Sequence, residues 1–409
     1  MNTRLSSLIQ PLTQQQPALT ASLIELAQIN SHTLNPAGVD QVGQLLSQRF
    51  CQQLDCDHQQ ISLPPYQLYR TDGSVMEHPL GHLQLFKKRP DAPLQLLLTG
   101  HLDTVFPVDS GFQQCRWLDD YTLNGPGVSD MKGGLLVMLT ALSTFEQSPQ
   151  AQQVGWTVIL NPDEEIGSPS SAALLAEQAA QHDLGMIYEP ALPDGQLAGE
   201  RKGSGNFTAI IQGVAAHAGR EHHLGRNAIC AMAEFITSVD QLNGVREGVT
   251  VNVGVMDGGM TTNQVPDQAR CRFNIRTRIT ADEHWCQQKL TEIEAKINQK
   301  EGISLSLHGH FGRSPKSLDT AHLALYQLVS TCSAQLGIPL QWQATGGCCD
   351  GNNLSTAGLP NVDTLGALGG NIHSDKEFIN ISSLVTRAQL STLILLTLAE
   401  QAERWRRTR

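Results

Sequence analysis

Apolar residues in this chain come in short dense runs set between Gly/Pro/Asp-rich turns. LQLLL (Leu94 to Leu98), WTVIL (Trp156 to Leu160) and GMIY (Gly185 to Tyr188) are too short for helices and predict buried strands. Between them, LLVMLTALSTF from Leu135 and SSAALLAEQAA from Ser170 carry helical patterns. Strand and helix in alternation predict an α/β fold: a mixed, largely parallel sheet with helices on both faces. Upstream, residues 18 to 55 predict two helices split near Pro36. Leu23, Leu26 and Ala27 share a face in the first, and Val42, Leu45 and Leu46 share one in the second.

The pattern changes near residue 204. NFTAIIQG predicts a strand, Gly225 to Leu242 a helix, VTVNVGVM and ARCRFNIRTR two strands, ADEHWCQQKLTEIEAKINQ a helix and ISLSLHGH a strand. That β-α-β-β-α-β order is a ferredoxin-like α+β sandwich. The first domain's pattern then resumes with helix AHLALYQLVSTCSAQLG, turn GGCCDGNN, strand NVDTL, a loop holding His373 and a closing helix from about Ser382. The expected organisation is a catalytic domain in two parts, 1–203 and 315–409, with 204–314 inserted between them.

Composition narrows the function classes. A length of 409 residues favours two domains over one core. A net charge of -11 argues against nucleic acid, whose partners carry a basic excess. The final RWRRTR run (Arg404 to Arg409) is expected to close a helix, where positive charge suits the dipole. Nine cysteines without CxxC pairs fit reduced thiols better than a disulfide framework. Cys348 and Cys349 are expected to fill a tight loop. The first twenty residues lack an apolar core for a signal peptide, and no apolar run is expected to reach the ~18 residues that span a bilayer. A cytoplasmic enzyme without membrane contact is the expectation.

The candidate chemistry lies at predicted strand ends. His101, Asp130, Glu165, Glu189 and His373 each stand in a turn, in LLLTGHLDTVFP, NGPGVSDMKGG, LNPDEEIGS, MIYEPALPDG and GGNIHSDKEF. In α/β sheets ligands bind beyond the carboxyl ends of strands. Two imidazoles and three carboxylates suit a pair of zinc-like ions, with a bridging hydroxide balancing the charge. Asp103 either holds an ion or orients the ring of His101. Asp130 is read as a bridging ligand, although an Asp before a helix also serves as an N-cap. In the Asp163-Glu164-Glu165 run, neighbouring side chains point in different directions. Glu165 is assigned as ligand and Glu164 as general base.

These segments resemble the M20 family of co-catalytic zinc peptidases, in the branch similar to glutamate carboxypeptidase. The resemblance runs through GHLDTVFP, GVSDMKGG, DEEIGS, RKGSGNF, AAHAGR and the closing GGN-HSD segment, in family order. It implies that His101 and Glu189 bind one zinc and Glu165 and His373 the other, with Asp130 bridging. Cobalt would substitute for zinc. Glu164 would be the base and Asp103 would orient His101. A lone loop histidine is ordinarily structural. The resemblance instead gives His217 an oxyanion-stabilising role, commonly in the partner subunit's site of a homodimer formed through the inserted lid, and puts Asn263 beside the substrate. Arg276 and Arg313 are candidates for gripping a substrate carboxylate, with structural ion pairs as the alternative. His222 and His223 are expected at the surface. The cysteines of GGCCDGNN replace small hydroxyl or glycine residues of many relatives. Expected substrates are small peptides or N-acyl amino acids with a free carboxylate. The rival readings are an N-acyl amino acid deacylase or dipeptidase, and a non-catalytic small-molecule binder.

Overall fold

The computed structural model describes residues 8–407. Met1 to Ser7, part of the segment tested for a signal peptide, and Thr408 and Arg409 of the basic run lie outside the described residues. The chain opens with α1 (Gln16–Ala27) and α2 (Pro36–Leu54), divided by the predicted proline, and Asn35 caps α2 by accepting the amide of Gly38. Then come β1 (Asp57–Ile61), β2 (Leu83–Lys88), β3 (Leu94–His101), α3 (Gly134–Phe145), β4 (Val154–Asn161), α4 (Ala172–Ala180) and β5 (Leu184–Ile187).

A second unit follows, built from β6 (Gly203–Gln212), α5 (Ala228–Asp240), β7 (Thr250–Gly258), β8 (Gln268–Thr277), α6 (Thr280–Asn298) and β9 (Ser304–Arg313). Its sheet runs β7-β8-β6-β9 with every neighbour antiparallel. Phe207, Phe235, Phe273 and Leu290 anchor a core of its own. The chain then returns through α7 (Thr320–Gln335), α8 (Asp350–Thr356), β10 (Asn361–Val362) and α9 (Ser382–Glu400).

The central sheet runs β1-β2-β4-β3-β5-β10. Its last four strands are parallel, and β1 and β2 add an antiparallel edge. Side chains alternate across the sheet. Leu96 and Leu98 therefore enter the core with α3 and α9, while Leu97 faces Leu175 of α4 and Leu354 of α8. Cover on both faces is why these strands are continuously apolar.

Two sequence expectations need correction, and two strands of the sheet were not expected. β1 and β2 carry no strong sequence signal: β1 is DHQQI, mostly exposed, and β2 ends in Lys87-Lys88 at the intermediate surface. The GGCCDGNN turn ends early, because Cys349 caps α8 by accepting the amide of Gly351. One helix, α9, is long and apolar enough to cross a membrane by length and composition; in the fold it is a core helix, 78% buried over the relevant window. Arg404 does fall in a short closing helix, Ala402–Trp405.

Candidate metal centre

Parallel pairing sets the site. β3 and β4 end level, with His101 opposite Asn161, and β5 runs beside β3 with Ile187 opposite Thr99. The loops carrying Asp103, Glu164 with Glu165, and Glu189 therefore leave the same edge. The Asp130 loop is brought in by the start of α3. A Cβ at Gly134 would lie 2.0 Å from the carbonyl oxygen of Tyr188, so only glycine lets α3 approach the end of β5 this closely. The Asp130–Met131 peptide is cis. His373 sits in a loop in the left-handed region, at φ 61°.

Asp130 lies between the two imidazoles. Its Oδ1 is 3.2 Å from Nε2 of His101, and its Oδ2 is 3.4 Å from Nε2 of His373. Glu189 Oε1 is 3.9 Å from His101 Nε2, and Glu165 Oε2 is 3.2 Å from His373 Nε2. His101, Asp130 and Glu165 offer ligand atoms within 4.8 Å of one another. So do His101, Glu164 and Glu189, which puts Glu164 as close as a ligand would be. The nearest acceptor for Nδ1 of His101 is the main-chain oxygen of Asp103 at 2.9 Å, with its carboxylate at 3.4 Å. That carboxylate also accepts Thr33 Oγ1 and the amides of Glu164 and Glu165, tying the His101 turn to the diglutamate.

The electrostatics call for cations. Burial pushes the carboxyls of Glu164 and Glu165 up to about 7 and about 8, and lifts Glu189 well above its ordinary range. Repulsion from Asp130 adds to the effect on Glu165, and repulsion from Glu164 adds to that on Glu189. Burial also disfavours charge on Asp130, but hydrogen bonds from His101 and His373 outweigh it and hold this carboxyl below the usual range. The rings respond in kind. Burial opposes charge on His101, yet Asp103 and Asp130 drive it well above its usual value. Hydrogen bonds to Asp130 and Glu165 raise His373 to about 11. Four buried carboxylates around two imidazoles form a donor set suited to divalent ions.

The remaining predicted residues divide into two places. Arg313, at the end of β9, is buried at the centre. Its Nη2 is 2.8 Å from Glu164 Oε1 and donates to Glu164 O, Ser168 Oγ and Asp350 Oδ1. Its Nη1 lies 3.9 Å from Cys348 Sγ, and Arg276 Nη1 reaches the same sulfur at 2.7 Å. His217 and Asn263 are exposed on the second unit, on paired segments, with Ala218 N donating to Asn263 O. Nδ1 of His217 accepts the amides of Gly219 and Arg220, so its Nε2–H is the outward donor. His222 and His223 are exposed too. Cys349 is buried with its thiol toward Asp363, and Cys348 meets the arginines; neither joins the metal-type cluster.

Two residues near the site carry no motif of their own. Asp350 accepts from Arg313, Asn161 and Ser168 beneath Glu164. Glu377 is fully buried beside the Asp130 loop. Burial and the nearby Asp130 push its carboxyl up to about 7 against the hydrogen bonds it accepts. Its only trace in the sequence is an acid directly before the short apolar Phe378-Ile379 pair.

Comparison with known proteins adds the family. The sequence profile of peptidase family M20/M25/M40 matches residues 97–397. Carboxypeptidase G2 of Pseudomonas sp. (strain RS-16) is 25% identical over 402 residues, covering 96% of this chain and 92% of that protein. Among solved structures, an M20 family metallo-carboxypeptidase from Sulfolobus solfataricus superposes with a TM-score of 0.74 at 17% identity, covering 93% of this chain and 99% of that one. A dinuclear metal binding peptidase of the M20 family from Bacillus subtilis gives a TM-score of 0.64 at 13% identity, covering 94% and 98%.

Proposed function

This chain belongs to peptidase family M20/M25/M40 and is a metallohydrolase of amide bonds; on that premise we propose a dinuclear, zinc-dependent, carboxypeptidase-like enzyme. Its substrate is a small peptide or N-acyl amino acid with a free carboxylate. The observation that carries this reading is Asp130, whose two oxygens address His101 and His373 separately at 3.2 and 3.4 Å. His101 and Glu189 would hold one ion and Glu165 and His373 the other, with Asp130 placed to serve both. Bound there, two such ions supply Lewis acidity toward the scissile carbonyl and make water acidic enough to attack at neutral pH.

The chain's own groups do the rest. Glu164, clustered with His101 and Glu189 and 2.8 Å from Arg313, takes the proton from the attacking water and returns it to the leaving amine. Asp103 holds the His101 ring through Nδ1, leaving Nε2 for the ion. Arg276 and Nη1 of Arg313, converging on Cys348, form the cationic end that receives the substrate carboxylate. His217 acts from the partner subunit of a homodimer, where its outward Nε2–H stabilises the oxyanion and Asn263 lies beside the substrate. Cys348 narrows that cationic end. The unpaired thiols suit a reducing, cytoplasmic setting.

The test is a hydrolysis screen with N-acyl-glutamates, N-acyl derivatives of other amino acids, and unblocked dipeptides, each with zinc and with cobalt. Cleavage of acylated substrates that vanishes when the free carboxylate is amidated supports this reading. Cleavage of unblocked dipeptides alone selects dipeptidase chemistry. Tight binding without turnover of any amide would reduce the chain to a binder.

A further inference from the structure

Glu377 is a fully buried acid that the proposed mechanism leaves unused. It lies four residues beyond His373, at the mouth of the strand Phe378–Asn380, which pairs antiparallel with Thr122–Asn124 so that Phe378 faces Asn124. This pairing sets Glu377 directly against the loop that ends at Asp130. Its Oε1 accepts the amides of Ser129 and Asp130, at 2.9 and 3.0 Å, and its Oε2 accepts that of Gly127, at 3.1 Å. Among the described residues no lysine or arginine lies within ion-pair distance of it. The carboxylate is therefore held by main-chain N–H groups of one turn, an arrangement of the kind that receives anions.

The main chain of Glu377 binds both ways. Its carbonyl accepts Gly125 N at 3.3 Å and Asn124 Nδ2 at 2.6 Å, and its amide donates to Ser374 O at 3.0 Å, in the turn next to His373. Asn124 Nδ2 also reaches Asp375 O. One residue thus links the loop of the bridging carboxylate to the loop of the second histidine. These two loops supply the 3.4 Å approach of His373 to Asp130. Both loops turn sharply here: Gly127 is in the left-handed region, and so are Asn371 and His373.

Resting on the dinuclear reading above, we propose that Glu377 is a positioning residue for the metal pair. Its carboxylate fixes the Asp130 loop against the His373 loop, so that Asp130 meets both imidazoles at once. It touches neither ion nor substrate. Its effect is on how well the ion shared by Asp130, Glu165 and His373 is held.

Substitution separates this role from plain stability. Glu377→Gln keeps one oxygen for Ser129 and Asp130 but turns an NH2 toward the amide of Gly127, donor against donor. Glu377→Ala removes the clamp entirely. The measurement is competition for Zn²⁺ between the full-length protein and a chromophoric chelator, with Glu146→Gln, a destabilising change remote from the site, as control. Glu377→Gln is expected to weaken the looser zinc site about tenfold to a hundredfold, the range for partners that orient ligands. Turnover at saturating zinc should fall less, with KM within about threefold, while the control keeps wild-type zinc affinity. Wild-type zinc affinity in a folded Glu377→Gln protein overturns the proposal. If Glu377→Ala does not fold, Glu377→Gln still decides. Failure of the wild type to bind zinc at all would instead reject the dinuclear reading on which this rests.

Discussion

Glu164 and Glu165 are neighbours in the chain, yet they meet different partners. Glu165 faces His373, at 3.2 Å, and Glu164 faces Arg313, at 2.8 Å. Both lie in a short 3₁₀ turn, Glu164–Ile166, with Gly167 leaving it at positive φ. The proposed division of labour follows from this divergence. Glu164→Gln should retain both ions while turnover falls on the order of 10²–10⁴, and Glu165→Gln should lose one ion. Elemental analysis with initial rates checks both; loss of metal from Glu164→Gln alongside a metal-replete Glu165→Gln would reverse the assignment. The metal-type residues were legible because each is a His or acid in a Gly- or Pro-rich turn at or near a predicted strand end. Glu377 and Asp350 were not, since their partners come from distant parts of the chain: Gly127, Ser129 and Asp130 for the first, Asn161, Ser168 and Arg313 for the second. No local pattern records such a pairing.

Glu146, at the end of α3, ties that helix to the strands that present His101 and the diglutamate. Its carboxylate receives Arg89 through Nη1 and Nη2, at 2.8 and 2.5 Å, and Trp156 Nε1 at 2.9 Å, with Lys88 at 3.5 Å. Burial opposes ionisation here, but Arg89 and Trp156 outweigh it and lower the carboxyl below its usual value. A folded pKa below the unfolded one, ~4.3 for Glu, gives stability that is complete above the unfolded value. It is lost as pH falls through the lower folded value. Glu146→Gln should therefore cost roughly 1–3 kcal/mol at neutral pH and progressively less as the solution is acidified below about pH 4. Urea unfolding of both proteins across that range checks it; a gap that stays constant would mean shape, not charge, carries the effect. At this scale the buried parallel strands announced themselves by apolar runs. β1 did not, because an edge strand exposed to water has no need of one, and in β2 the buried Leu83, Leu85 and Phe86 are interrupted by Gln84 and followed by two lysines.

The inserted unit carries His217 and Asn263 on its exposed surface, while Arg276 and Arg313 reach inward from its strands to Cys348 and Glu164. One unit thus offers groups to its own centre and, in the proposed homodimer, to its partner's. Mixing inactive His217→Ala with inactive Glu164→Gln subunits should restore part of the activity, because one of the two sites in a mixed dimer keeps both groups. Absence of recovery after verified exchange would place His217 within its own chain or outside the reaction. The β-α-β-β-α-β order of this unit could be read from periodicity. Its placement against the centre could not, because β9 reaches Glu164 only through the arginine that ends it.

The central claim, that a pair of ions bound between two imidazoles and their carboxylates drives amide hydrolysis, meets its most direct test in metal stoichiometry followed alongside activity. The protein is stripped with chelator and reloaded stepwise with zinc while bound metal and N-acyl amino acid hydrolysis are measured on the same samples. The account predicts an inactive, less thermally stable stripped protein, since Glu164, Glu165 and Glu189 are then buried beside Asp130 without the charge of the ions. It predicts full recovery as binding approaches about two ions per chain. Undiminished hydrolysis by a protein with no detectable metal would contradict it.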